Sequence, residues 1–135
     1  MTTRIITNEK EMKELGKELA KTFPILFLNG DLWAGKTILT KGFAEGLGID
    51  PQKVQSPTYT YLNGYDNKLL HLDLYRLESF DELIEKGILN EMEDYDYIVI
   101  ERPKWKENFH FSHYGIIDIK KIDNSTREVD IQEWK

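Results

Sequence analysis

The segment from Gly30 to Thr37, with the sequence GDLWAGKT, constrains this chain more than any other feature. It fits the pattern of a glycine, four residues and then Gly-Lys-Thr, between an apolar run at 25–28 and a helical pattern at 37–47. In this strand–loop–helix context the glycines let the backbone curl so that several N–H groups converge on one anion. An ordinary glycine-rich turn does not require these flanks. We therefore predict a nucleotide phosphate site formed by Gly30, Asp31, Leu32, Trp33, Ala34, Gly35, Lys36 and Thr37.

Two residues at the end of this loop have specific roles in such a site. A lysine at the position of Lys36 reaches the β- and γ-phosphates, and a hydroxyl at the position of Thr37 binds Mg²⁺. The helix that follows adds the partial positive charge of its N-terminus. The motif therefore predicts a bound nucleoside triphosphate with Mg²⁺.

Composition narrows the class of protein further. The 135 residues suit one domain spanning 1–135, and a net charge of −6 disfavours the clustered basic surface that binds nucleic acid. The chain has no cysteine, which excludes disulfides and thiolate metal sites. The segment 1–18 is charged throughout and resembles neither a secretory signal nor a membrane span. We accordingly expect a soluble cytoplasmic protein with no stable binding of nucleic acid and no membrane contact.

Hydrophobic patterning along the chain predicts an α/β fold. Strand patterns cover 4–6, 25–28, 59–65, 68–74, 97–100, 114–122 and 126–132. Helical patterns begin after Asn8 and cover 37–47 and 80–86. Turn residues at 66–67 and 123–125 predict two hairpins. With the phosphate loop, this order predicts a three-layer, single-domain P-loop NTPase-like fold with a mixed parallel and antiparallel sheet.

Hydrolysis of a nucleotide also needs carboxylates near the metal, and two acidic residues qualify. Glu101 directly follows the buried strand pattern, and ligands of open α/β sheets gather beyond the carboxyl ends of strands. Asp73 lies inside an alternating pattern, where it shares one face with His71 and Tyr75. Glu101 therefore fits a metal ligand better. The alternative for either residue is a surface acid at a strand end.

Four segments together resemble one known family. They are GDLWAGKT at 30–37, SPTYT at 56–60, HLDLYRL at 71–77 and IERP at 100–103. Their order and spacing are similar to those of TsaE, formerly YjeE, the bacterial ATPase needed to make threonylcarbamoyladenosine in tRNA. The resemblance covers about residues 1–122. It implies a small P-loop ATPase that binds ATP and Mg²⁺ and works with the TsaB and TsaD proteins.

The resemblance also implies roles for individual residues. The loop from Gly30 would hold the phosphates, and Thr37 and Glu101 would hold Mg²⁺. Asp73 would lie in the outer shell of the metal or assist the attacking water. Thr58 resembles a mobile threonine that senses the γ-phosphate, although a Ser-Pro-Thr turn can equally start a strand. Such an ATPase would be slow alone and faster with its partners.

The chain departs from the family pattern at two positions. Trp33 stands where the family has glycine, and Arg102 stands where it has the tryptophan of Glu-Trp-Pro. The indole of Trp33 must then point away from the phosphates, unless a UGA codon that the host reads as glycine has been translated as tryptophan. Arg102 removes an aromatic contact that Trp105 nearby would have to supply.

Two other classes of function share some of these motifs. A P-loop small-molecule kinase would need an acceptor pocket and a lid with several arginines, but only Arg76, Arg102 and Arg127 follow the loop. A non-hydrolysing, nucleotide-dependent assembly module would keep the fold without turnover. Measurements of nucleotide turnover with and without partner proteins separate both classes from a TsaE-like ATPase.

Overall fold

The computed structural model of the protein describes residues 2–31, 34–57 and 61–135. The strands of these ranges are β1 (Thr2–Ile6), β2 (Ile25–Gly30), β3 (Leu62–Tyr65), β4 (Leu69–Asp73), β5 (Tyr97–Glu101), β6 (Tyr114–Lys121) and β7 (Arg127–Trp134). The helices are α1 (Glu9–Thr22), α2 (Lys36–Gly46), α3 (Phe80–Glu85) and α4 (Ile88–Met92), with short 3-10 turns at Pro51–Lys53 and Lys106–Asn108. No helix in these ranges is long and apolar enough to cross a membrane.

The strands form one sheet in the order β1-β7-β6-β2-β5-β4-β3. Four central strands run parallel, because β2 pairs in parallel with β5 and β6, and β5 pairs in parallel with β4. The outer strands β1, β7 and β3 pair in antiparallel fashion. Both predicted hairpins are present, and Asp66 and Asn67 in the turn between β3 and β4 both have positive φ. The predicted mixed α/β sheet is thus confirmed.

Helices α1 and α2 cover one face of the sheet and pack closely against each other. Asn8 begins α1, because its side chain accepts a hydrogen bond from the Glu11 N–H at 2.8 Å. A Cβ atom at Gly16 would lie 2.2 Å from the Leu39 carbonyl oxygen, and one at Gly42 would lie 2.0 Å from a backbone oxygen of α1. Only glycine permits these approaches, and they fix the position of α2 over the sheet.

Apolar side chains on the opposite face of the sheet form a second core. Leu83 of α3 and Ile88 of α4 belong to it, together with residues of β4 and β5. Phe27 of β2 lies between the rings of Phe109, Phe111 and Tyr114, with centroid distances of 5.2 to 6.2 Å. These helices form the third layer, as predicted for this class. The sequence patterns did not predict α4, which is only five residues long.

The carboxyl ends of three neighbouring strands meet at one edge of the sheet. Gly30 ends β2, Glu101 ends β5 and Asp73 ends β4. The register places Glu101 between Leu28 of β2 and Asp73 of β4. The predicted phosphate loop therefore leaves the sheet beside both acidic residues.

Candidate functional site

The predicted phosphate loop connects β2 to α2. Gly35 immediately precedes α2 and has a φ of 112°, a left-handed conformation that residues with a Cβ atom rarely adopt. The Ala34 N–H donates to the Asp31 carbonyl oxygen at 3.0 Å, which tightens the turn before the helix. Leu32 and Trp33 lie outside the described residues, so the expectation for the indole stays a prediction.

Lys36, the first residue of α2, bends back over the loop. Its Nζ atom donates to the Gly30 carbonyl oxygen at 2.6 Å. Burial lowers the pKa of Lys36, while the negative charges of Glu101 and Asp73 act in the opposite direction. The hydrogen bond to Gly30 places the ammonium at the mouth of the loop, beside its first residue. An incoming anion would replace the carbonyl oxygen there as the acceptor.

Asp73 and Glu101 lie opposite each other across β4 and β5. Only 2% of Asp73 and 3% of Glu101 is exposed, so neither is a surface acid. The sequence pattern predicted a strand over 68–74, but β4 ends at Asp73. Asp73 and Glu101 are therefore each the last residue of a strand. Buried carboxylates need hydrogen-bonding or cationic partners, and each of these two has its own.

His71 is the partner of Glu101. It lies on β4, is fully buried, and its Nε2 atom is hydrogen-bonded to Glu101 Oε2. In the part of the chain that the structure describes, His71 Nδ1 has no hydrogen-bond partner. Because an ionised carboxylate only accepts hydrogen bonds, Nε2 is assigned as the protonated nitrogen that donates to Glu101. A packed strand histidine thus orients one of the two acidic residues.

Arg102 is the partner of Asp73. Its Nε atom donates to Asp73 Oδ1 at 3.1 Å, and a terminal guanidinium nitrogen donates to Oδ2. The Tyr75 N–H also donates to Asp73 Oδ1, at 3.0 Å. The sequence indicated only that a family tryptophan is replaced here, since pairing across two strands depends on a register that local pattern does not reveal.

A cavity of about 550 Å³ opens beside the N-terminus of α2. Asn8 from the start of α1, Thr37 from α2 and Arg127 from β7 are among the residues that line it. Arg127 Nε donates to the Ala34 carbonyl oxygen at 3.0 Å, so β7 supports the loop across 93 positions of sequence. The sequence motifs did not indicate this cavity, because its walls come from distant segments.

The oxygen atoms at this edge suit a magnesium ion that also contacts phosphates. Mg²⁺ in such sites takes one or two protein ligands and completes its shell with phosphate and water oxygens. Thr37 and the carboxylates of Glu101 and Asp73 offer oxygens of that kind. Within the described ranges, no three histidine, cysteine or acidic side chains lie close enough to hold a metal alone. Thr58, the predicted γ-phosphate sensor, lies outside the described residues.

Comparison with known proteins identifies one family. The model of the family described as threonylcarbamoyl adenosine biosynthesis protein TsaE matches residues 6–129. A protein from Bacillus subtilis named tRNA threonylcarbamoyladenosine biosynthesis protein TsaE is 47% identical over 81 residues, which are 56% of this chain and 51% of that protein. The protein of the same name from Aquifex aeolicus is 40% identical over 94 residues, 63% of this chain and 71% of that one.

A solved structure agrees with the sequence comparison. The crystal structure of Bacillus subtilis YdiB superposes with a TM-score of 0.67 and 28% identity, covering 98% of this chain and 84% of that chain. The overall fold is therefore shared over nearly the whole of this chain. The sequence match with the Bacillus subtilis relative, in contrast, spans only about half of that protein's length.

We expect that replacing His71 destabilises the protein through Glu101. His71→Leu leaves a buried carboxylate without its donor and should lower the free energy of unfolding by about 1–3 kcal/mol. Glu101→Gln in the same background should recover part of that loss, because a neutral amide is cheaper to bury. Urea unfolding of the single and double variants measures both effects.

His113→Leu provides the matched control for this prediction. His113 hydrogen-bonds Glu133 at 2.9 Å, but that pair is exposed. Its loss should leave the free energy of unfolding close to that of the wild type, because solvent screens an exposed pair. Equal losses for His71→Leu and His113→Leu would show that the buried pair contributes no more than a surface one.

Proposed function

The chain belongs to the TsaE family, and on that premise we propose that it binds and hydrolyses ATP in the biosynthesis of threonylcarbamoyladenosine on tRNA. The observation that carries the proposal is the meeting of three strand ends at one sheet edge. There the phosphate loop follows β2, and Glu101 and Asp73 close β5 and β4. A loop that ends in a lysine and a threonine, beside two buried acids, is suited to a triphosphate that arrives with a divalent cation.

The phosphates would lie over the loop from Gly30 to Thr37. Lys36 would exchange the Gly30 carbonyl oxygen for phosphate oxygens, because a charge-assisted hydrogen bond is stronger than one to a neutral carbonyl. The N-terminus of α2 would add backbone N–H donors to the same anion. The cost of this exchange is small, since the ammonium already lies at the mouth of the loop.

Thr37 and Glu101 would hold Mg²⁺, and Asp73 would orient the attacking water. Bound Mg²⁺ supplies positive charge where negative charge develops on the transferred phosphoryl group. His71 keeps the Glu101 carboxylate in place through Nε2. Thr58 would add a hydroxyl near the γ-phosphate, which is a proposal carried by the family resemblance alone.

The cavity beside α2 suits the nucleoside of ATP. Its volume of about 550 Å³ falls within the range of small-molecule pockets. Thr37 lines both the end of the phosphate loop and this cavity, so a nucleotide with its phosphates in the loop can place its base there. Asn8 offers a polar side chain and Ile38 an apolar surface, a combination that suits a heterocyclic base.

We expect Lys36→Ala to remain folded and to lose affinity for nucleotide. The substitution removes one hydrogen bond to Gly30 and should change the free energy of unfolding by about 1 kcal/mol at most. Loss of a charge-assisted contact to phosphate should weaken ATP binding by about tenfold to 100-fold. Isothermal titration calorimetry with Mg-ATP measures the change.

Lys41→Ala is the matched control, because it removes the same charge from the same helix outside the loop. It should bind ATP as the wild type does. If Lys36→Ala binds ATP with unchanged affinity, the phosphate loop is not the nucleotide site and the proposed function is wrong.

We propose TsaB and TsaD as the partners, and expect them to accelerate hydrolysis. The proposed nucleotide site lies at the carboxyl ends of the strands, and a partner that covers it would exclude water and hold the catalytic groups in place. The isolated chain should hydrolyse ATP slowly, and adding both partners should raise kcat about tenfold or more, which corresponds to about 1.4 kcal/mol of barrier. Fast turnover that neither partner changes would indicate an independent kinase or phosphatase.

A further inference from the structure

The two carboxylates of the site have partners of different charge, because Arg102 pairs with Asp73 and His71 is hydrogen-bonded to Glu101. We propose that Arg102 is a positioning residue that neutralises and orients Asp73, so that Glu101 is the carboxylate that attracts the divalent cation. This inference rests on the proposed function. It assigns different roles to two acids that the sheet register places side by side.

Both oxygens of Asp73 are engaged by fixed donors. The guanidinium reaches Oδ1 through Nε and Oδ2 through a terminal nitrogen, and the Tyr75 N–H adds a third donor. The Asp73 side chain is 1% exposed and the Arg102 side chain is 31% exposed, so water screens this pair only in part. Because guanidinium stays protonated in proteins, the positive charge beside Asp73 is permanent.

Two contacts and the local backbone conformation position Arg102. Its N–H donates to the Leu28 carbonyl oxygen at 3.1 Å, which ties it to the strand that leads into the phosphate loop. Its φ of 47° turns the chain away from β5 directly after Glu101. The guanidinium carbon lies 4.4 Å from the centre of the Tyr75 ring. The Arg102 side chain therefore crosses the carboxyl end of β5 and reaches Asp73 at the end of β4.

Glu101 has a different kind of partner. The donor to Glu101 is an imidazole nitrogen of His71 rather than a guanidinium. Of the two acids, Asp73 is thus the one that a permanently charged guanidinium contacts directly, whereas Lys36 acts on Glu101 through its charge alone. A divalent cation that enters the edge competes with Arg102 at Asp73, whereas no arginine pair is seen at Glu101 among the described contacts.

This asymmetry predicts how Mg²⁺ dependence responds to substitution. Arg102→Gln removes the permanent charge and exposes Asp73 to the cation. The ratio of ADP affinities with Mg²⁺ and with EDTA should then rise about tenfold over the wild type, as expected for the loss of one nearby opposing charge. Mg²⁺ alone should also raise the Tm of nucleotide-free Arg102→Gln more than that of the wild type. Calorimetry and thermal unfolding measure these effects without relying on turnover.

Three variants serve as controls. Arg4→Gln breaks an exposed pair with Glu18 and should leave both readouts at wild-type values. Arg102→Lys keeps the charge and loses the two-pronged contact, so its Mg²⁺ dependence should lie between those of the wild type and Arg102→Gln. Asp73→Asn with Arg102→Gln removes both charges and should restore the wild-type ratio.

Asp73→Asn and Glu101→Gln provide a second test if Arg102→Gln fails to fold. Asp73→Asn leaves the Arg102 charge unbalanced beside the site and should lower the Mg²⁺ ratio by about tenfold, without abolishing it. Glu101→Gln should largely abolish the dependence. The inference is overturned if Arg102→Gln has the wild-type ratio, or if Asp73→Asn abolishes the dependence. A wild-type chain that binds no nucleotide would instead overturn the proposed function, and melting with Mg²⁺ alone would still test the pair.

Discussion

Two buried negative charges at the end of neighbouring parallel strands are the constraint on which this site depends. Asp73 and Glu101 lie in register, and both are almost fully removed from water. Carboxylates in that position are stable only with partners, and the chain supplies Arg102 for one and His71 for the other. The loop lysine, Lys36, adds a positive charge in the same field. Each carboxylate therefore has a partner of its own, and under the proposed function phosphate and Mg²⁺ would enter by exchange of partners.

The rest of the fold holds these charges in place. Parallel pairing of β2, β5 and β4 brings the strand ends to one edge, and the close contact of α1 with α2 fixes the helix whose N-terminus faces that edge. Gly42 lies on α2 outside the predicted phosphate loop, yet it sets how near α2 lies to α1. Arg127 adds a contact from the last strand to the loop. Packing away from the site thus determines where the side chains at the carboxyl ends of the strands lie.

Local pattern predicted much of this arrangement, and long-range pairing explains what it missed. The loop from Gly30 to Thr37, the hairpin around Asp66 and the capped start of α1 each follow from residues within a short window. The partners of Asp73 and Glu101 do not, because Arg102 and His71 come from other strands, about 30 positions away. The exact end of β4 at Asp73 also depends on pairing with β5 rather than on alternation. The family resemblance predicted which residues matter, while the structure shows what they contact.

The most direct test is a crystal structure of the chain with Mg²⁺ and a non-hydrolysable ATP analogue. We predict phosphates over the loop from Gly30 to Thr37 and a magnesium ion about 2.0–2.1 Å from the Thr37 hydroxyl oxygen, with Glu101 as the nearer carboxylate. Arg102 should remain paired with Asp73 in that complex. A nucleotide bound away from the loop, or a magnesium ion on Asp73 with Arg102 displaced, would contradict the account.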